Sequence, residues 1–167
     1  PLYARGTPGV PRKDEVRRTD HQYEDLIAFT EDAGALAKSL LSEGISAMKI
    51  WPFDPYALAT NGTSISLMDI DRGLEPIKKI RDAVGDEMEV MMEGHGYWSL
   101  PAAARIARAL EPYKPFWLED FMKPDSPQTL ARLRRETSIP ICGSELAFTR
   151  YAVRDLIEQE AVDIVMT

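Results

Sequence analysis

Short apolar runs alternate with amphipathic stretches along almost the whole chain. The run PLYA (1–4) reads as an opening strand, and residues 5–29 follow as a charged stretch, rich in Gly and Pro early on, with no clear period. A segment of that kind reads as a long loop, often a lid or binding loop. Helical spacing begins near Thr30, where Ala33, Leu36, Ala37, Leu40 and Leu41 share one face and Gly44 suits the C-terminal cap. SAMKIWPFD (46–54) is the next expected strand, stopped by Pro52 and Pro55, and residues 66–85 return to a helical period that Gly85 ends.

The alternation continues to the last residue. EMEVMMEG (87–94), PFWLED (115–120), IPICGSE (139–145) and VDIVMT (162–167) read as strands. Between them SLPAAARIARALEPY (99–113), SPQTLARLRRE (126–136) and FTRYAVRDLIEQEA (148–161) read as helices, with Ser99 and Ser126 expected as N-caps and Pro127 in a first turn. Six strands and five intervening helices are therefore expected. The strands are apolar runs rather than clean alternations, as in a parallel sheet covered on both faces. Repeated βα units leave an open doubly wound sheet or a (β/α)8 barrel.

Three successive expected strands end in an acid, at Glu93, Glu119 and Glu145, with 26 residues between one and the next. Parallel barrel strands bring their C-terminal ends to one face, where active sites lie. Three carboxylates converging there repel one another unless a cation holds them, and an all-oxygen set suits a hard divalent ion such as Mg2+. The plain alternative is three unrelated acids near loop starts. Two residues after the first acid stands His95, which strand alternation would place on the face of Glu93. An imidazole with an ordinary pKa near ~6.5 can donate a proton to a leaving group at neutral pH.

Composition narrows the classes. With 167 residues, 44% of them apolar, the chain can bury a core, and its net charge of −7 gives no basic footprint for nucleic acid. Lys78, Lys79, Arg132, Arg134 and Arg135 sit at helical spacing and are expected on solvated helix faces. The single cysteine, Cys142, excludes an internal disulfide and reads as a buried inert thiol. No apolar stretch approaches the ~20 residues of a membrane span, so a cytoplasmic protein without membrane partners is expected.

The acids on successive strand ends, with the phrases EGHGYW, LEPYKPFWLED and IPICGSE, resemble the enolase superfamily, in its mandelate racemase/muconate lactonizing subgroup. The resemblance runs from about residue 30 to 167 and is strongest over 88–146. It implies a TIM-type (β/α)7β barrel in which Glu93, Glu119 and Glu145 bind Mg2+, which stabilises the enediolate formed when a base removes the proton α to a carboxylate. A complete barrel needs about 250 residues, so 1–167 is expected to be its first six strands and five helices, without the capping domain and last strands. Many members carry Lys-x-Lys on the second strand; here AMKIW puts Lys49 at the first position and Trp51 at the second. The lysine base is thus missing, while Lys49 is placed to neutralise a substrate carboxylate.

Acid-x-His on the third strand is similar to the acid-sugar (galactonate/gluconate-type) dehydratases of the superfamily. By that resemblance His95 is the general acid for a departing 3-hydroxyl and the substrate is a sugar acid. Trp51, Tyr97 and Trp98 are expected near the pocket, and His21 is either solvent-facing or a substrate-loop contact. The general base is expected beyond Thr167, and the complete protein is expected to be a homo-oligomer. A racemase or epimerase of the same superfamily and a non-catalytic α/β binding module or truncated fragment are the alternatives.

Overall fold

A computed structural model of the chain describes residues 25–143 and 145–166. The expected strand at 1–4, most of the early loop and His21 lie outside the described residues. Within them, five strands form one all-parallel sheet in sequential order: β1 (Ala47–Ile50), β2 (Glu89–Glu93), β3 (Trp117–Glu119), β4 (Ile141–Gly143) and β5 (Ile164–Val165). Six α-helices are interleaved: α1 (Asp25–Ser42), α2 (Asp54–Ala57), α3 (Leu67–Val84), α4 (Leu100–Leu110), α5 (Pro127–Glu136) and α6 (Arg150–Glu158). A sequential parallel order selects the barrel topology over the doubly wound sheet, whose strand order reverses at a switch point.

Several expectations need correction. α1 begins at Asp25, inside the expected loop, and bends at Asp32, whose φ of −146° and ψ of 80° are extended. Asp32 Oδ1 accepts from the Ala35 N–H at 3.1 Å, so the aspartate caps the second part of the helix. The strand expected over 46–54 stops at Ile50, because the Pro52 that follows Trp51 has no N–H for the ladder, and Pro55 then supports the short helix α2. Ser99 and Ser126 occupy N-cap positions without capping: Ser99 Oγ donates to the Thr63 carbonyl at 3.3 Å, and Ser126 Oγ pairs with Thr129 Oγ1 at 2.8 Å. Arg134 is not merely solvated: its Nε lies 2.6 Å from Asp163, whose other oxygen accepts from the Ile141 N–H.

The C-terminal end of α1 follows expectation. Gly44, with φ +83°, donates to Leu41 O at 3.0 Å, and Ile45 donates to Leu40 O at 2.9 Å, a Schellman closure.

The core lies between the sheet and its helices. Ile50, Met92 and Leu118 from the strands are fully buried with Ile77, Ile80, Ile106, Leu110 and Leu133 from α3, α4 and α5. Each contributes about 1.5–3 kcal/mol by burial. At the N-terminal ends of the strands Arg81 ties two loops together, donating to the carbonyls of Gly85, Met88, Tyr113 and Lys114 at 2.7–3.1 Å. That leaves the opposite, C-terminal ends to carry the chemistry.

Candidate active site

Register decides which acids meet. Glu93 and Glu119 are direct Cα partners across β2 and β3, so their side chains leave the sheet side by side. Both residues are 1% exposed. The Lys49 ammonium from β1 lies between them, 2.9 Å from Glu93 Oε2 and 2.5 Å from Glu119 Oε1. The remaining carboxylate oxygens are also engaged. Glu93 Oε1 accepts the N–H groups of Gly94 and His95 at 3.0 Å, and Glu119 Oε2 accepts Trp117 Nε1–H at 2.9 Å.

These contacts set the proton affinities. Burial raises the Glu119 pKa, and the neighbouring Glu93 adds to the rise against the opposing pull of Lys49. For Lys49, burial acts most strongly and would lower the pKa, but the hydrogen bonds to Glu119 and Glu93 together outweigh it and leave it raised. Two buried carboxylates side by side hold a cation tightly because the alternative is uncompensated charge in a poor dielectric.

Glu145 is placed differently. Glu119 is level with Cys142 on β4, so Glu145 stands three residues beyond that level, past the end of the strand. The equal sequence spacing of the three acids does not translate into equal register. Glu145 is exposed, and its backbone N–H donates to Asp120 Oδ2 at 3.2 Å. Among the described residues no three His, Cys, Asp or Glu side chains are gathered closely enough to hold a metal ion as they stand. The structure therefore brings Glu93, Glu119 and Lys49 together and leaves Glu145 at the rim.

His95 is not on the strand. β2 ends at Glu93, and His95 lies in the turn that follows, with φ +47°, between Gly94 and Gly96. Strand alternation is thus not what brings it beside Glu93; the turn does. The turn is pinned to the chain after β3: Gly94, Gly96 and Trp98 donate to the carbonyls of Glu119, Asp120 and Phe121 at 2.9, 2.5 and 3.0 Å. At Gly94 a Cβ would fall 2.7 Å from the Phe121 Cα, so this close approach requires glycine. The His95 ring lies between Trp51 and Tyr97, with ring centroids 6.1 and 5.9 Å away. Trp51 packs edge-on to Phe29, while Trp98 is buried at 3% exposure.

Two acids that the sequence reading passed over belong to this site. Asp54, 3% exposed, brings Oδ2 to 2.7 Å from His95 Nδ1. That contact holds the imidazole above its usual pKa range against the opposing effect of burial, and the charges of Glu93 and Glu145 add to it. Burial raises the Asp54 pKa, and His95 counters it. Asp120, 4% exposed with φ +41°, receives the Glu145 N–H. The only sequence signal for either was a charged residue inside an apolar run.

Residues 32–167 match the family model described as enolase C-terminal domain-like. The chain belongs to the enolase superfamily. Its sheet is accordingly part of a TIM-type barrel. A D-gluconate dehydratase of Thermoproteus tenax is 32% identical over 123 residues, covering 73% of this chain and 24% of that protein. A D-galactonate dehydratase of Ralstonia nicotianae is 30% identical over 118 residues, covering 69% of this chain and 31% of the relative. Among solved structures, an enolase of the mandelate racemase subgroup from Agrobacterium tumefaciens is 50% identical with a TM-score of 0.76, over 78% of this chain and 36% of that one. An enolase from Sargasso Sea environmental sequence is 45% identical with a TM-score of 0.76, over 83% of this chain and 38% of that one. This superfamily chain thus spans about a quarter to two fifths of the length of these relatives. No helix among the described residues is long and apolar enough to cross a membrane.

Proposed function

We propose that this chain is the metal-binding part of an acid-sugar dehydratase that uses Mg2+ and eliminates water across C2 and C3 of a sugar acid. The observation that carries this reading is the buried Glu93–Glu119 pair, level in register and closed on a cation, with His95 in the adjoining turn. The names of two relatives, a D-gluconate and a D-galactonate dehydratase, support the substrate class.

The donor set fits a hard divalent ion. Lys49 Nζ stands in for the cation, touching one oxygen of each carboxylate at hydrogen-bond distance. Glu93 and Glu119 would hold Mg2+, with Glu145 from the rim as the third ligand. When bound, the ion would act as a Lewis acid on the substrate carboxylate and so acidify the proton at C2.

The described side chains supply a positive charge and the leaving-group acid, and the base that takes the C2 proton is proposed to lie outside them. Lys49, released from the carboxylate pair, offers a positive charge at the strand ends for a substrate carboxylate. His95 gives its proton to the 3-hydroxyl as the C3–O bond breaks, so that the hydroxyl leaves as water. Trp51 and Tyr97 flank the imidazole, whose side chain keeps 36% of its surface exposed. Trp51 stands at the second position of the Lys-x-Lys pattern, so a second-strand lysine base is missing, which favours elimination over racemisation.

The test is calorimetric titration of Mg2+ into the complete enzyme and its Glu119→Gln variant, followed by a screen of sugar acids for 2-keto-3-deoxy products. Binding that weakens at least about tenfold in the variant, with product formed by the parent and lost in His95→Asn, is expected. Undiminished Mg2+ binding in Glu119→Gln would sink the metal assignment, and undiminished dehydration in His95→Asn would sink that of the acid.

A further inference from the structure

Asp54 is an expensive residue to keep where it is. It follows the fully buried Phe53, is itself 3% exposed, and starts α2 between Pro52 and Pro55, which restrict the backbone on either side. Among the described residues neither carboxylate oxygen has an aligned hydrogen bond, and His95 Nδ1 lies 2.7 Å from Oδ2. The separation is that of a charge-assisted hydrogen bond, although the ring N–H is not aimed squarely at the oxygen, so a small rotation of the ring would complete it. A buried carboxylate with a single neighbour costs stability, and an apolar side chain of similar size would fit the same core with less penalty. The place of Asp54 in the first turn of the four-residue α2 offsets only part of that cost.

The partner explains the charge. His95 is held in a left-handed backbone conformation in a pinned turn, which places its Cβ but leaves the ring orientation to side-chain contacts. Trp51 and Tyr97 confine the ring from two sides by ring contacts. Among the described residues, the Asp54 carboxylate is the group placed against a named ring nitrogen.

We propose that Asp54 is the positioning residue for His95: it anchors Nδ1–H, fixes the orientation of the imidazole, and leaves Nε2 as the nitrogen that passes a proton to the substrate. The sequence distance between the two residues hides the pair. Asp54 follows β1 and His95 follows β2, and only the parallel pairing of those strands brings the two loops together. Histidines elsewhere are oriented in this way by a hydrogen bond on the nitrogen that does not react. The catalytic part of this inference rests on reading His95 as the proton donor; the geometric part stands without it.

The test is proton–nitrogen NMR of the complete enzyme labelled with 15N-histidine, with His95 assigned by the signals lost in His95→Asn. The parent should show a slowly exchanging Nδ1–H resonance from His95, absent or averaged with water in Asp54→Ala. In the isosteric Asp54→Asn it should weaken, while thermal stability stays equal to the parent or rises in both variants. If a sugar acid is turned over, kcat should fall about tenfold to a hundredfold in Asp54→Asn while KM changes less than about twofold. A His95 Nδ1–H resonance that persists unchanged in Asp54→Ala would overturn the proposal. So would Asp54→Asn and Asp54→Ala variants that lose stability in step with the signal, because Asp54 would then be structural. Absence of any sugar-acid turnover would refute the dehydratase reading while the ring resonance still decided the role of Asp54.

Discussion

Among the described residues, the only ammonium that contacts Glu93 and Glu119 is that of Lys49, so its removal tests what the carboxylate pair needs. Breaking a buried ion pair from one side costs about 3–5 kcal/mol, and the 37% exposure of the Lys49 side chain places this case at or below the lower end. Lys49→Met should therefore lower the unfolding free energy of the metal-free protein by up to about 3 kcal/mol. Added Mg2+ should return much of that loss by binding the folded state alone. Denaturant unfolding with and without Mg2+ measures both, and a metal-free variant as stable as its parent would contradict the account. The two acids and the lysine were each readable as strand-end residues, but their ion pair joins positions 44 and 70 apart in sequence, which no local pattern encodes. Cys142 was fully legible: burial, reinforced by the charges of Glu119 and Asp120, pushes its thiol up to about 12. Because its folded pKa is raised, the folded state holds this proton where the unfolded chain has lost it. The associated stability is present below the ordinary thiol range and is lost as pH rises toward about 12. Alkylation at pH 8.5 should accordingly be negligible in the folded protein and rapid once it is unfolded, as mass spectrometry would show.

Elements were set mostly by periodicity, and they went wrong where a polar residue did something other than follow the period. The amphipathic stretch 66–85 matches α3 (Leu67–Val84) almost to the residue, with Ser66 capping Asp69 N at 3.1 Å. The helical segment before Thr30 was hidden because Asp32 interrupts the pattern, and only its capping contact shows that one helix bends into another. Gly73 marks the opposite case, a residue that weakens its helix in isolation but suits the fold. An alanine there should gain about 1 kcal/mol in helix propensity. Its Cβ, however, would come 2.3–2.4 Å from the ring of Phe53, which is fully buried and cannot swing away. Overpacking of this kind costs about 1–3 kcal/mol. We expect Gly73→Ala to lower stability by up to about 2 kcal/mol, the clash outweighing the propensity. A thermal midpoint equal to or above that of the parent would show that Phe53 has room to move.

At the scale of the whole molecule, order is concentrated in the middle of the sheet. β2, β3 and β4 each pair on both sides, whereas β1 and β5 have one neighbour each among the described strands. The flanking helices differ in the same sense. α4 buries Ala102, Ala103, Ala104, Ile106, Ala107 and Leu110, while α6 buries Leu156 alone and leaves Phe148, Tyr151 and Ile157 beside or on it at 86%, 56% and 58% exposure. The sequence announced α6 as strongly as α4, because amphipathic spacing says which face is apolar and not whether anything covers it. Local opening is cheapest where few apolar contacts are broken, so amide hydrogen exchange should rank the elements. The amides of Leu118 and Asp120, bonded to Pro140 and Cys142 at 2.9 and 3.0 Å, should be among the slowest in the 167-residue chain. Those of α6 should exchange at least about a hundredfold faster, an opening free-energy difference of roughly 3 kcal/mol. Protection of α6 equal to that of α4 would mean that its apolar face is covered in solution. Loss of that protection on dilution would then identify a second copy of the chain as the cover.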